Sequence, residues 1–296
     1  MDALSKLLAS GKPILLDGAM GTMLMDAGLE HGDPPEEWNL LHPEKVRRVH
    51  RSYIEAGSEI ILTNSFGGTA IRLAMHNLDD QVFELNKAAA ENARAEADQA
   101  DHPVLVAGSM GPTGQLIEPV GELTFQEAQQ AFAEQAAGLE AGGVDLFWIE
   151  TMSDLKEVQA AAAGIRSVSD LPISATMSFD THGHTMMGVS PARAVEELGQ
   201  LDLALVGANC GTGSDELIEA VAAMQEADPD LPLVAKANAG IPQVVDGEVV
   251  YNGTPALMAD YAREVHRQGA ALIGACCGST PEHIRAMADA LEKTAD

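Results

Sequence analysis

The chain holds three cysteines, Cys210, Cys276 and Cys277, in the segments GANCGTG (207–213) and GACCGST (274–280). Three thiols brought together from distant segments suggest Zn2+. Three protein ligands with one open position is the pattern of a catalytic zinc site, whereas a structural site closes with four. The adjacency of Cys276 and Cys277 constrains the geometry, because neighbours on a regular strand point to opposite faces. Both reach one ion only if the strand distorts or ends there, and Gly274 and Gly278 would allow that. Asn238, in NAG at 238–240, offers a weak oxygen ligand that could hold the fourth position and be displaced. The competing reading makes all three cysteines small buried hydrophobes. Three thiolates on Zn2+ leave a net charge of −1, which suits water activation poorly. A fourth thiol bound there would lose its proton at neutral pH, although free thiols titrate near ~8.5. Such a site makes a nucleophile of a substrate sulfur.

Other side chains share the ends of apolar runs. Glu150 closes Leu146–Ile149 and is a natural partner for a substrate ammonium, or else one surface acid among the chain's 45. Asp17 opens a glycine-bearing loop whose backbone N–H groups could approach a ligand carboxylate, or it caps a turn. Lys236 shares a strand face with Asn238. It invites a Schiff-base lyase reading, against an ion pair to an acid on a neighbouring strand. His182 and His184 form an H-x-H in a loop that is either metal-binding or solvated. Trp38 either staples its loop or offers an aromatic wall to a cation.

The elements that must position these residues alternate. Strands are expected at Pro13–Leu16, Ile60–Asn64, Val104–Ser109, Leu146–Glu150, Ile173–Ser178, Ala204–Cys210, Leu233–Asn238 and Leu272–Cys276, as brief apolar runs suited to burial on both faces. Helical stretches lie between them. Thr124 with Glu127 predicts a capping box, Ser214 precedes a periodic stretch reaching Ala227, and Thr254-Pro255 and Thr280-Pro281 set a capping hydroxyl before a first-turn proline. Helix ends are expected at Gly57, Gly142-Gly143 and Gly269. Eight strand–helix units with no linker predict an α/β fold, a single (β/α)8 TIM-type barrel over residues 1–296, in preference to an open sheet. The active site of such a barrel lies at the C-terminal ends of its strands, where all three cysteines fall.

Composition narrows the partners. Seventeen basic against 45 acidic residues among 296 give a formal charge of −28, which repels nucleic acid and anionic membranes. Three cysteines are too few for a disulfide framework. No apolar run reaches the roughly 18 residues of a membrane span. The first residues lack a signal-peptide core, so a reducing cytoplasm is expected.

Taken together, DGAMGTML (17–24), LTNSFGG (62–68), GPTG (111–114), GANCGTG (207–213), NAG (238–240) and GACCGSTPEHI (274–284) resemble the homocysteine S-methyltransferases. That family includes betaine–homocysteine methyltransferase, S-methylmethionine-dependent enzymes and the homocysteine module of cobalamin-dependent methionine synthase. The resemblance runs in order through nearly the whole chain. It implies a zinc barrel with Cys210, Cys276 and Cys277 as ligands, and homocysteine sulfur displacing Asn238 or another weak donor. It further implies that Glu150 binds the homocysteine ammonium, that Asp17, Gly18, Ala19 and Met20 bind its amino-acid end, and that Asn209 lines the same site. The product would be methionine. The donor would be a betaine-like or S-methylmethionine onium, or methylcobalamin on a partner corrinoid protein. Gly67 stands where the animal betaine enzyme has tyrosine, which weakens a betaine assignment. The alternatives are a Schiff-base lyase using Lys236 and a non-catalytic zinc- or thiol-binding subunit of a corrinoid methyltransferase complex.

Overall fold

The computed structural model describes residues 3–245 and 248–293; positions 1, 2, 246, 247 and 294–296 of the expected 1–296 domain lie outside the described residues. The barrel strands are β1 (Ile14–Leu15), β2 (Ile60–Leu62), β3 (Leu105–Met110), β4 (Leu146–Met152), β5 (Ile173–Met177), β6 (Leu205–Cys210) and β7 (Leu233–Ala237). They are followed by a hairpin, β8 (Pro242–Val245) and β9 (Glu248–Tyr251), and then by the last barrel strand, β10 (Ala270–Ala275). The eight barrel strands run parallel in the order β1-β10-β7-β6-β5-β4-β3-β2. A parallel bridge between Leu16 and Ile60 closes the ring, with Asp17 N–H donating to the Ile60 carbonyl at 3.1 Å.

Strand periodicity divides the apolar residues into two cores. Ile14, Leu16, Ile60, Leu62, Leu105, Ala107, Leu146, Trp148, Leu205, Val234 and Leu272 fill the barrel interior, and Leu4 of the helix Ala3–Leu8 packs against them. The alternate positions, among them Leu15, Ile61, Val106, Phe147, Ile173, Val206, Ala235 and Ile273, face the surrounding helices. Strands buried on both faces therefore need no polar side, which is why their sequence reads as unbroken apolar runs.

The helix signals hold with one exception. Phe125–Ala141 begins with the Thr124/Glu127 capping box, and Pro255–Arg267 and Pro281–Glu292 begin at their Thr-Pro pairs. Ser214 lies inside its helix, whose N-cap is Gly213. The hairpin β8–β9 was not expected. Its signal is Asp246-Gly247 between Val244-Val245 and Val249-Val250, a pairing of turn dipeptide and apolar flanks that favours tight hairpins. Among the described residues no helix is long and apolar enough to cross a membrane.

Candidate metal centre at the barrel mouth

The interior register that carries apolar residues low in the barrel turns polar at its C-terminal end. Two residues beyond Leu146-x-Trp148 comes Glu150. The same step leads from Ala107 to Ser109, from Val234 to Lys236, and from Leu205 through Gly207 to Asn209. Cys276 follows Leu272 and Gly274 on this inward register, and β10 ends at Ala275, so Cys277 is freed from the strand alternation. Gly278 then turns the chain with φ +76°. Cys210 ends β6 with φ +63°. The three sulfurs lie within 4.8 Å of one another, close to the spacing of about 3.8 Å that tetrahedral Zn–S bonds of ~2.3 Å impose.

The backbone around these sulfurs is anchored to β7. Cys276 N–H donates to the Ala237 carbonyl at 2.7 Å and Ala239 N–H to the Cys277 carbonyl at 2.9 Å. Asn238 donates its Nδ2 to the Gly211 carbonyl at 2.8 Å, while its buried Oδ1 has no hydrogen-bond partner. An orphaned buried acceptor beside three sulfurs suits a cation. Hydrogen bonding to Cys276 favours the Cys210 thiolate, but its bond with Cys277, burial and the nearby Cys277 charge outweigh this and push Cys210 up to about 11. Hydrogen bonding to Cys210 favours the Cys277 thiolate, yet Cys276 and burial push it up to about 12. Three such thiols ionise together only around a positive charge. The residues therefore fit a soft divalent metal.

Below the sulfurs sits a buried ion pair, Lys236 Nζ to Asp17 Oδ1 at 2.8 Å, with both side chains 3% exposed. The second Asp17 oxygen accepts from Leu62 N–H at 2.7 Å. Burial opposes the Lys236 charge, but Asp17, Glu150 and Cys276 outweigh it and push the ammonium's pKa up. Lys236 is thus engaged in a buried ion pair, the competing reading of this side chain, and the pairing lends no support to the lyase reading. Asp17 is likewise more than a turn cap.

Ser109 donates to Glu150 Oε1 at 2.5 Å. Burial raises the Glu150 pKa, against the lowering pull of Lys236 and Ser109. Asn209 is fully engaged: Oδ1 accepts from Thr151 N–H at 2.8 Å and from Thr176 Oγ1 at 2.7 Å, Nδ2 donates to Thr151 Oγ1 at 2.7 Å, and Nδ2 lies 4.0 Å from the Cys276 sulfur. It thus ties the residue after Glu150 to a candidate ligand. The Asp17–Met20 loop is joined to the cysteine loop by two residues that the sequence did not single out. Ser279 Oγ accepts from Ala19 N–H at 2.9 Å, and Tyr53 donates to the Ala19 carbonyl at 2.8 Å and lies 3.2 Å from that of Ser279. A Cβ on Gly18 would lie 2.4 Å from Ser279 Oγ, so this position admits only glycine without movement.

Other sequence candidates fall elsewhere. His182 and His184 are exposed, with His184 Nδ1 on the His182 carbonyl at 3.2 Å. Trp38 carries Lys45 Nζ 4.4 Å above its ring, and Trp148 is wholly buried in the barrel interior. Neither ring is open to a substrate cation. At Gly67 a Cβ would lie 3.0 Å from Glu36 Oε1, which accepts from Gly67 N–H at 2.6 Å; the buried Glu36 carboxyl occupies the space a side chain there would need. Thr113 of GPTG anchors its loop by bonding Glu157 through N–H at 2.8 Å and Oγ1 at 2.6 Å.

Comparison with known proteins agrees with this geometry. The sequence pattern of the family described as homocysteine S-methyltransferase matches residues 14–291. Methionine synthases of Mycobacterium leprae and Mycobacterium tuberculosis are each 31% identical over 95% and 98% of this chain, which spans only 24% and 25% of their lengths. The homocysteine methyltransferase MmuM from Escherichia coli superposes with a TM-score of 0.80 in its metallated form, at 27% identity over 96% of this chain and 98% of that one. Its oxidized form gives 0.81 at 28% identity, over 98% and 99%. A methyltransferase from Methanosarcina mazei, at 10% identity and a TM-score of 0.62 over 96% and 95%, shares the fold. With its family pattern matched from the first barrel strand to the last helix, the chain belongs to the homocysteine S-methyltransferases.

Proposed function

We propose that this chain, acting as one homocysteine-binding barrel, methylates homocysteine to methionine at a zinc ion held by Cys210, Cys276 and Cys277. The observation that carries the reading is the convergence of three sulfurs within 4.8 Å of one another beside the unpartnered Asn238 Oδ1. When bound, zinc supplies a charge that favours the deprotonated form of a substrate thiol at neutral pH. The chain's own residues do the rest. Asn238 Oδ1 would give the ion a weak oxygen ligand beside the three sulfurs. Glu150, held by Ser109, receives the substrate ammonium, and the Asp17, Gly18, Ala19 and Met20 loop, pinned by Ser279 and Tyr53, shapes the seat of its amino-acid end. Asn209 keeps the Glu150 and Cys276 sides in register. Homocysteine sulfur then attacks the donor's methyl carbon in line, the methyl–donor bond breaks, and the donor leaves with the electron pair. Such a displacement needs position more than acid–base help.

Two donor classes suit this mouth, a small sulfonium or ammonium compound and a methylcorrinoid on a separate protein. The occupied faces of Trp38 and Trp148 speak against an aromatic cage for the onium built from tryptophan. Three free cysteines suit a reducing cytoplasm. Homocysteine is tested with methyl-labelled betaine, S-methylmethionine and methylcobalamin, each scored for labelled methionine. Metal-edge X-ray absorption with and without homocysteine accompanies the screen. Gain of one sulfur around the metal together with labelled methionine supports the reading, whereas an unchanged sulfur count favours the non-catalytic subunit.

Glu150→Gln removes the charge that meets the ammonium, a loss of about 1.5–3 kcal/mol for a hydrogen bond to a charged group. The KM for homocysteine should rise roughly ten- to a hundredfold, with kcat less affected. Because burial raises the Glu150 pKa, the wild-type KM should climb as pH falls towards that raised value and level off above it. Steady-state kinetics across pH 5–8 check this, and Glu150→Gln should flatten the acidic limb.

A further inference from the structure

Strand β3 outruns its neighbour β2. The ladder between them ends at Leu62 and Ala107, with one more bond from Thr63 N–H to the Ala107 carbonyl at 2.9 Å, while β3 continues to Met110. Alternate residues of a strand turn their peptide groups to the same side. Ser109, two on from Ala107, therefore aims its N–H and C=O at the place β2 has left. Side chains take over there. Ser109 N–H donates to Thr63 Oγ1 at 2.9 Å, and the Ser109 carbonyl accepts from Ser65 Oγ at 2.8 Å. Thr63 Oγ1 and Ser65 Oγ lie 2.6 Å apart. A carbonyl only accepts, so the Ser65 proton is committed to it, and Thr63 must donate to Ser65. The result is a closed ring of hydrogen bonds that leaves and re-enters one residue, Ser109. Gln135 Nε2, from the helix Phe125–Ala141, grips the ring from outside, 2.7 Å from the Ser65 carbonyl and 3.3 Å from that of Ser109. All four side chains are buried, so water does not compete for these bonds.

Holding both peptide groups of Ser109 fixes the direction of its side chain, and that side chain donates to Glu150 Oε1 at 2.5 Å. Ser109 in turn sets the way the Glu150 carboxylate faces. Small errors in such an arrangement are costly, because a charged partner is used fully only when it is already in place. We propose that Ser65 is a positioning residue for the substrate ammonium: by closing the ring it holds Ser109, and through Ser109 it holds the Glu150 carboxylate, so that thiols carrying an ammonium are selected over those without one. The proposal rests on Glu150 receiving the homocysteine ammonium.

The test is calorimetric titration of the zinc-loaded full chain with homocysteine and with 4-mercaptobutanoate, the same thiol without its ammonium. Neither titration needs a methyl donor. The wild-type chain should prefer homocysteine. Ser65→Ala should weaken homocysteine binding by about fivefold, the factor that one hydrogen bond typically carries, and leave the Kd of 4-mercaptobutanoate unchanged. Ser65→Thr keeps the hydroxyl and should restore the preference. General damage to the barrel or to the cysteine centre would weaken both thiols together. That outcome overturns the proposal, as does an undiminished preference in Ser65→Ala. Glu150→Gln, titrated in parallel, separates the proposal from the reading on which it rests. Loss of the preference in Glu150→Gln but not in Ser65→Ala sinks the proposal alone, whereas a preference that survives Glu150→Gln sinks the role of Glu150 as well.

Discussion

Cys276→Ala is expected to purify without metal and to lose methionine formation by more than about a hundredfold, beyond what loss of an outer partner costs. Cys276 is the cysteine whose inward register follows directly from β10, and its backbone N–H is held by β7 at 2.7 Å. Removing it leaves Cys210 and Cys277 as a two-sulfur site, short of the three protein ligands that hold a catalytic zinc. Metal stoichiometry by atomic emission and a labelled-methyl assay on the same sample measure both effects. Full turnover by a metal-free Cys276→Ala protein would refute the mechanism. The wild-type affinity should strengthen as pH rises, because thiols held at about 11 and about 12 in Cys210 and Cys277 must release protons to bind.

The second large effect concerns the ion pair beneath the three sulfurs. Lys236→Met leaves Asp17 buried without its counter-ion, with burial, no longer opposed by Lys236, pushing its pKa up further, and breaking a buried pair from one side costs about 3–5 kcal/mol. Asp17→Asn strands Lys236 in the same way. The double variant Asp17→Asn/Lys236→Met removes both charges and should recover most of the stability, since a buried pair and its neutral replacement are often nearly equal. Urea unfolding of the four proteins gives the cycle. If either single variant loses less than about 1 kcal/mol, the pair is not structural. Recovered stability should not restore metal affinity, because Lys236 also faces Glu150 and Cys276.

The barrel and the convergence of its three cysteines were legible because they rest on local patterns. Apolar runs such as Leu146–Ile149, with helices between them, mark parallel strands, and the only three cysteines sat at strand ends. Even the adjacency of Cys276 and Cys277 was informative, because it asked the strand to distort or end there, and the strand, expected to reach Cys276, ends at Ala275. What stayed hidden was set by distance along the chain. Ser279 bonds Ala19 across 260 positions, and no local pattern announces that contact. Tyr53 looks like any apolar position of its helix, and the engagement of Trp38 by Lys45 depends on a side-chain path that spacing does not fix. Lys236 and Asp17 were each noticed, but one ammonium between two neighbouring acids could be assigned to Asp17 only once the strand order placed β1 two strands from β7. The hairpin β8–β9 did carry a local signal in Asp246-Gly247, masked by the surrounding alternation of strand and helix.

The sheet order also bears on biosynthesis. The ring is completed by β10 lying between β7 and β1, and a ribosome delivers Asp17 early but Cys276 and Cys277 late. Nascent chains fold from the amino end as they emerge, yet this one cannot close or gather its third sulfur until the final strand is out. Metal capture by the three-cysteine site would therefore be a late event, after most of the polypeptide has already collapsed, and a chain released before Cys276 would carry Cys210 alone.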